Sequence, residues 1–241
     1  IGPPGDGKTM LARRLPGLLP PLSDEEALEV AAVQSIDGTL DPSAPLVRTP
    51  PLVAPHPSTS LAGLIGGGSG LAMPGAVSKA HRGVLLLDEA CELGSHRLEA
   101  LRTTLEEGEV RLARARGVVV YPARFQLVLA TNPCPCAPAR EEDCTCSPHA
   151  RRRYLGRLSG PLLDRVDIRV RLRPVSAAEC YSSERRETSA EVRERVIAAR
   201  ERARVRWSAY GWRTNAEVPG PKLRKEFALP SEATELLRRA L

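Results

Sequence analysis

The sequence has no run approaching 18 apolar residues, which excludes a membrane-spanning helix. It has no internal repeat and no low-complexity tail, so neither a stacked-repeat architecture nor a long disordered arm is expected. Aromatic residues are scarce, at 3% of 241 positions, although the hydrophobic content reaches 42%; aliphatic side chains must supply most of the core. Lysine is nearly absent. It occurs only at Lys8, Lys79, Lys222 and Lys225, so 31 of the 35 basic residues are arginine. The net charge of +6 is compatible with nucleic-acid contact and equally with a solvated basic surface. The length suffices for one large domain, or for one with a smaller companion, and for a sizeable core.

Against that scarcity one lysine stands in a pattern. Gly2–Thr9, "GPPGDGKT", reads G-x-x-x-x-G-K-T. Glycines there let backbone N–H groups turn toward an anion, and a compact ammonium follows phosphate oxygens where a planar guanidinium does not fit. Such a loop joins a buried strand to a helix. Only Ile1 precedes Gly2, so further chain is expected ahead of it. The helix is expected from Lys8 to Leu15, interrupted by Pro16 and Gly17.

Farther along, Ser23 and Glu26 are spaced as a capping box opening the helix "LSDEEALEVAAVQSI". Asp37 to Gly75 is rich in Pro and Gly and reads as one long irregular stretch. "GVLLLDE" is a continuous apolar run ending in Asp88 and Glu89, the pattern of a buried parallel strand. "SHRLEALRTTLEEG" is an amphipathic helix with a glycine stop. "EVRLARARGVVVYPARFQLVLATN" reads as a hairpin turning at Gly117, followed by a buried strand ending at Asn132. "RVDIRVRL" is a further strand candidate, and "SAEVRERVIAARERARVRW" a helix.

The chemistry follows from the order of these motifs. Thr9 and Asp88 are the candidate Mg²⁺ ligands, Glu89 the candidate to polarise a water, and Asn132 to orient it. An acidic strand end or a strand-terminal Asn alone is more often a surface or turn feature; following the phosphate loop, they form a set.

Four of the six cysteines, Cys134, Cys136, Cys144 and Cys146, fall within 13 residues as C-x-C, seven residues, C-x-C. In a chain expected to work in a reducing compartment, metal binding is favoured over disulfides. The one-residue spacing is tighter than that of usual structural zinc sites, and free thiols or a redox disulfide stay open beside Zn²⁺. Cys91 and Cys180 read as packing residues. His56 and His81 carry no specific pattern.

Together, "GPPGDGKTMLARRLPGLLPPLSDEEALEV", "APHPSTSLAGLIGGGSGLAMPGAVSKAHRGVLLLDE", "LEALRTTLEEGEVRLARARGVVVYPARFQLVLATNPCPC" and "RLSGPLLDRVDIRV" resemble the AAA+ ATPases of the magnesium-chelatase-like branch, in particular the ComM/YifB group. The resemblance implies an α/β fold: a P-loop AAA+ parallel-sheet core with helices on both faces, β-hairpin insertions and a partial C-terminal helical lid. It places the core at 1–172, with the cysteine-rich insertion at 134–146, and the linker and lid at 173–241. It implies Mg²⁺ and ATP as cofactors and a cytoplasmic homo-oligomer, a hexameric ring working on single-stranded or branched DNA, in branch migration. The nucleotide set would be Gly2, Pro3, Pro4, Gly5, Asp6, Gly7, Lys8, Thr9, Met10 and Asp88, with Glu89, Asn132 and Arg165 as the catalytic set. Arg165, in "LLDRVD", falls on the arginine finger that reaches a neighbouring subunit; an ion pair with Asp164 or Asp167 is the simpler alternative. Arg114 and Arg116, two apart on the hairpin, are the candidate DNA contacts.

Asp6 departs from the family pattern, standing where a small hydroxyl residue is usual, and His56-Pro57 replaces a His-His pair. The second sensor arginine is expected beyond Leu241. The alternative function is the ATPase subunit of magnesium chelatase, driving metal insertion into porphyrin. A scaffold that binds nucleotide with little turnover is a third.

Overall fold

The computed structural model describes residues 1–68, 72–114, 117–174, 181 and 185–240. Two compact units divide the chain, Ile1–Ser189 and Ala190–Leu241. Among the described residues no helix is long and apolar enough to cross a membrane.

The centre of the first unit is a parallel sheet in the order β1 (Leu52–Val53), β4 (Val84–Leu87), β7 (Gln126–Leu129). All four β4 residues are buried, because both faces of the sheet are covered. Alternation along the strand divides the work. Leu86 packs with Ala12 of α1 (Lys8–Leu18), and Leu85 and Leu87 join the main core with Val77 of α4 (Ala76–Lys79) and Leu98 and Leu101 of α5 (Ser95–Glu107). The expected arrangement, a parallel-sheet core with helices on both faces, is what the chain forms.

The first two residues extend this sheet past β7. The Gly2 N–H donates to Thr131 O (3.3 Å), the Ile1 ammonium to Val170 O (2.8 Å), and the Leu172 N–H to Ile1 O (2.8 Å). The expected strand in "RVDIRVRL" is not formed: residues 165–172 carry no strand, and two backbone hydrogen bonds join Val170 and Leu172 to Ile1.

Local rules explain the helices. The Ser23 hydroxyl accepts from the Glu26 N–H while the Glu26 carboxylate accepts from the Ser23 N–H, so the expected capping box opens α2 (Asp24–Asp37). Gly108, at φ 70°, ends α5 as expected. Three expectations are corrected. Helix α1 runs through Pro16 to Leu18 rather than stopping at Leu15; Pro16 falls in the last turn, where its ring is buried. The stretch from Asp37 to Gly75 is not wholly irregular. It holds β1, the short α3 (Leu61–Ile65) and β2 (Gly66–Gly67), and β2 pairs with β3 (Met73–Pro74). The third is the strand candidate above.

The expected hairpin is β5 (Glu109–Arg114) against β6 (Gly117–Pro122), from Glu109↔Pro122 to Arg114↔Gly117. After the cysteines come α6 (Pro148–Leu155) and α7 (Gly160–Leu163), opened by Ser147 and Ser159 as N-caps. Tyr154, Leu158 and Leu162 of this segment join the main core.

The second unit holds α8 (Ser189–Trp207), α9 (Gly220–Glu226) and α10 (Ser231–Ala240). Its scarce aromatics are concentrated in one cluster. Trp207 meets Phe227 edge-on (4.9 Å between centroids) and donates from Nε1 to Asn215 Oδ1 (2.9 Å), while Tyr210 stacks on Trp212 (4.9 Å).

Candidate functional site

The phosphate loop bends through Gly5 (φ 88°) and Gly7 (φ 78°), left-handed positions that favour glycine. Gly7 caps α1 without a side-chain hydrogen bond, so the first N–H groups of the helix keep no side-chain acceptor at its positive end. Pro3 and Gly2 are buried beneath the loop, whereas Pro4, Gly5 and Met10 are exposed at its rim.

Two contacts bring distant motifs together. The Thr9 hydroxyl donates to Asp88 Oδ2 at 2.6 Å. The Lys8 ammonium donates to Asn132 Oδ1 at 3.0 Å, and to the Gly2 and Pro3 carbonyls at 2.6 and 2.5 Å. The cause is the sheet: Asp88 follows directly on β4 and Asn132 lies three residues past the end of β7, and the two strands are parallel and adjacent, so both tips open beside α1. Thr9 and Asp88 present hard oxygen donors within one hydrogen bond of each other, a set suited to Mg²⁺.

Asp6 is the discordant member. Its Oδ2 is buried without a hydrogen-bond partner, and it would lie 3.2 Å from a Cβ placed on Gly2. The carboxylate thus folds under the loop, toward Gly2, and the backbone that would hold the phosphates stays available. The loop, the lysine and the Thr9–Asp88 pair fit Mg·ATP.

Glu89 is exposed and holds φ 49°, a conformation costing on the order of 1–3 kcal/mol in a non-glycine residue. Its N–H donates to Asp88 Oδ1 at 3.0 Å. The neighbouring Ala90 N–H donates to Ala130 O at 2.9 Å, fixing this turn to the tip of β7.

Arg165 does not pair with Asp164 or Asp167 in the contacts formed here. Its Nη2 donates to Glu106 Oε1 at 2.5 Å, and Arg102 reaches the same oxygen at 3.4 Å. Arg165 beside it holds the Glu106 carboxyl below its ordinary range. Arg114 is exposed and its Nη1 donates to Ala113 O at 2.9 Å. Arg116 lies outside the described residues, as does Cys180.

The four cysteines converge. Cys134 Sγ lies 3.5 Å from Cys136 Sγ and 3.4 Å from Cys144 Sγ, Cys136 and Cys144 are 3.5 Å apart, and all four sulfurs lie within 4.8 Å of one another. A tetrahedral zinc with Zn–S near 2.3 Å places sulfurs about 3.8 Å apart, so the spacing and the soft donor set fit zinc. Ala137, at φ 44°, makes the tight turn that one-residue spacing demands. Burial pushes the Cys134 thiol up to about 12, and hydrogen bonding from Cys146 brings Cys136 down to about 6.

Several contributors escape sequence reasoning. The Cys144 sulfur raises the pKa of Arg151 of α6, placing a guanidinium beside the cluster; the basic run after Cys146 was the available signal. His81 is a buried structural residue. Its Nε2 meets Glu29 Oε2 at 3.0 Å and its Nδ1 accepts from the Arg124 N–H at 3.0 Å. His56 stays in a local turn, where its Nδ1 accepts from the Ser58 N–H at 3.1 Å.

Comparison with known proteins identifies the family. The family profile for magnesium chelatase subunit ChlI matches residues 1–180, and that for the ChlI C-terminal region matches residues 186–241. The chain belongs to the magnesium-chelatase ChlI family, an AAA+ family, and within it to the ComM/YifB group. It is 60% identical over 240 residues to an uncharacterised protein of Mycobacterium tuberculosis, covering 100% of this chain and 48% of that protein. It is 44% identical to the uncharacterised protein YifB of Escherichia coli, over 96% of this chain and 45% of that one. To the competence protein ComM of Haemophilus influenzae it is 42% identical, over 100% and 46%. The chain thus spans about half the length of the curated relatives it matches.

Proposed function

We propose that this chain is the Mg·ATP-hydrolysing core of a cytoplasmic ring motor that moves or remodels DNA. The observation that carries the reading is the meeting of Thr9 with Asp88 and of Lys8 with Asn132 at the tips of two adjacent parallel strands. Mg·ATP, when bound, supplies the phosphoanhydride whose hydrolysis releases the driving free energy. The loop amides and the Lys8 ammonium bind the phosphate charge, and Thr9 with Asp88 holds the cation. Glu89, exposed at the rim, takes the proton of a water that Asn132 orients. Arg165 acts on the neighbouring protomer's site in a ring of such chains, hexameric in this reading, after leaving Glu106. That arrangement makes turnover depend on assembly.

DNA as the substrate is supported by the similarity to a protein named for competence, by the net charge of +6, and by an exposed hairpin bearing Arg114. The four cysteines would hold a zinc ion, and a set of four thiolate donors would give it a structural role, tying the two cysteine pairs together.

The test is the ATPase rate of the full-length protein with and without branched or single-stranded DNA. Stimulation by DNA supports the motor. Dependence on a porphyrin-binding partner subunit, with no response to DNA, would instead assign it to metal insertion. No hydrolysis in either case would leave a nucleotide-binding scaffold.

A further inference from the structure

The cysteine cluster sits between two parts of the site. Its first pair follows directly on Asn132, separated from it only by Pro133. Its second pair leads through Ser147, the N-cap, into α6. The two pairs meet through their sulfurs, and through backbone hydrogen bonds to them from Thr145 and Cys136, across a loop of Pro, Ala and charged residues. Beneath them the Thr131 hydroxyl donates to Cys91 Sγ (3.1 Å) and lies 3.5 Å from the Tyr154 hydroxyl of α6, so the strand tip and α6 already touch at a buried polar contact. Cys134 is itself buried. The Arg151 guanidinium sets a positive charge beside Cys144, and its Nε is buried with no partner. A zinc tetrathiolate carries net negative charge, which that cation offsets.

We infer that the zinc cluster is the clip that positions Asn132: metal binding ties the end of β7 to the start of α6, and the tie holds the Asn132 amide toward Lys8. Asn132 has Pro133 behind it and no helix or strand of its own. On its N-terminal side the Asn132 carbonyl accepts from the Thr131 hydroxyl at 3.3 Å; on its C-terminal side the next buried anchor is Cys134, two positions on. Cysteine ligands here are positioning residues, acting on hydrolysis through Asn132. The inference rests on the ATPase reading above, and the experiment separates the two.

In the full-length protein, zinc content is measured by elemental analysis in the wild type and in the double variant Cys144→Ser, Cys146→Ser. Amide hydrogen exchange is followed across residues 130–148, and kcat, KM and nucleotide affinity are measured in both proteins, in Asn132→Ala and in the combined variant. The expected results are near-stoichiometric zinc, lost in the cysteine variant, and faster exchange at 130–134. With them kcat falls about 100-fold while nucleotide affinity changes by less than about threefold. Adding Asn132→Ala to the cysteine variant gives no further fall, since both act through one amide. Additive falls in kcat, or unchanged exchange at 130–134, would overturn the clip. A wild type without zinc would overturn the metal. A wild type that holds zinc but hydrolyses no ATP would fail the ATPase reading, and the exchange data would still decide the clip. If the double variant does not fold, chelating zinc from the wild type and restoring it gives the same comparison; a rate that falls and returns with zinc supports the clip, and one that ignores the metal contradicts it.

Discussion

Arg165 and Glu106 form an ion pair at 2.5 Å within one chain, between the end of α7 and the last turn of α5. Both side chains are partly exposed, so the pair adds little stability and is screened by salt. In the function proposed above, it parks the guanidinium. The two substitutions that break it therefore have different consequences. Arg165→Ala should lower hydrolysis in the assembled protein by about 1,000-fold while leaving nucleotide binding intact. Glu106→Gln should leave the rate unchanged or raise it. If the contact were only structural, the two variants would behave alike in a steady-state ATPase assay.

Gly83 makes the sheet possible. A Cβ there would lie 2.1 Å from Pro51 O and 2.6 Å from Pro51 Cγ, at the point where the Val84 N–H donates to Pro51 O and β1 joins β4. Gly83→Ala should cost about 1–3 kcal/mol or more, measured by urea unfolding. Gly17, in the last turns of α1, has open space around the same position. Gly17→Ala should instead stabilise by about 0.4–1 kcal/mol. Equal effects at the two sites would contradict the packing described.

These positions show what a sequence reading reaches. Strand β4 was legible because four consecutive apolar residues buried on two faces leave no other reading. The α2 capping box and the Gly108 stop were legible because they are local. Strand β1 was not: Leu52–Val53 is two residues long after two prolines, and only its pairing with β4 makes it a strand. Pro16 misled because a helix tolerates proline in its last turn when its ring is buried. The approach of Thr9 to Asp88 followed from motif order, whereas Glu106 meets Arg165 across 59 residues, a separation that carries no signal in the sequence.

The His81 network predicts acid sensitivity. Burial lowers the His81 pKa, opposed by Glu29 and reinforced by Arg82 and Arg124. In the unfolded chain an imidazole titrates near about 6.5, so as pH falls below that value the unfolded state binds the proton first and stability drops. Protonation would also remove the acceptor that Nδ1 offers the Arg124 N–H. Glu29, held down to about 2 by the Arg82 guanidinium, adds a second loss as pH falls from about 4.5 toward 2. Urea midpoints should decline from pH 7 to pH 5, and His81→Asn should flatten that decline. A flat wild-type profile over this range would contradict the assignment.

The hairpin predicts a salt effect. Replacing Arg114 and Arg116 by Ala should weaken binding to DNA of any sequence and flatten the dependence of log affinity on log salt by about 1–2. Fluorescence anisotropy with labelled DNA at several salt concentrations measures both. An unchanged slope would remove these residues from the contact.

The central claim is that Mg·ATP seats on the loop amides and on Lys8, with Thr9 and Asp88 at the cation. Calorimetric titration of the full-length protein with Mg·ATP tests it most directly. The account predicts saturable heat, weakened about 100-fold in Lys8→Ala, where a charge-assisted contact to phosphate is lost. A wild-type titration with no heat at millimolar ligand, or a Lys8→Ala variant that binds as well as the wild type, would contradict it.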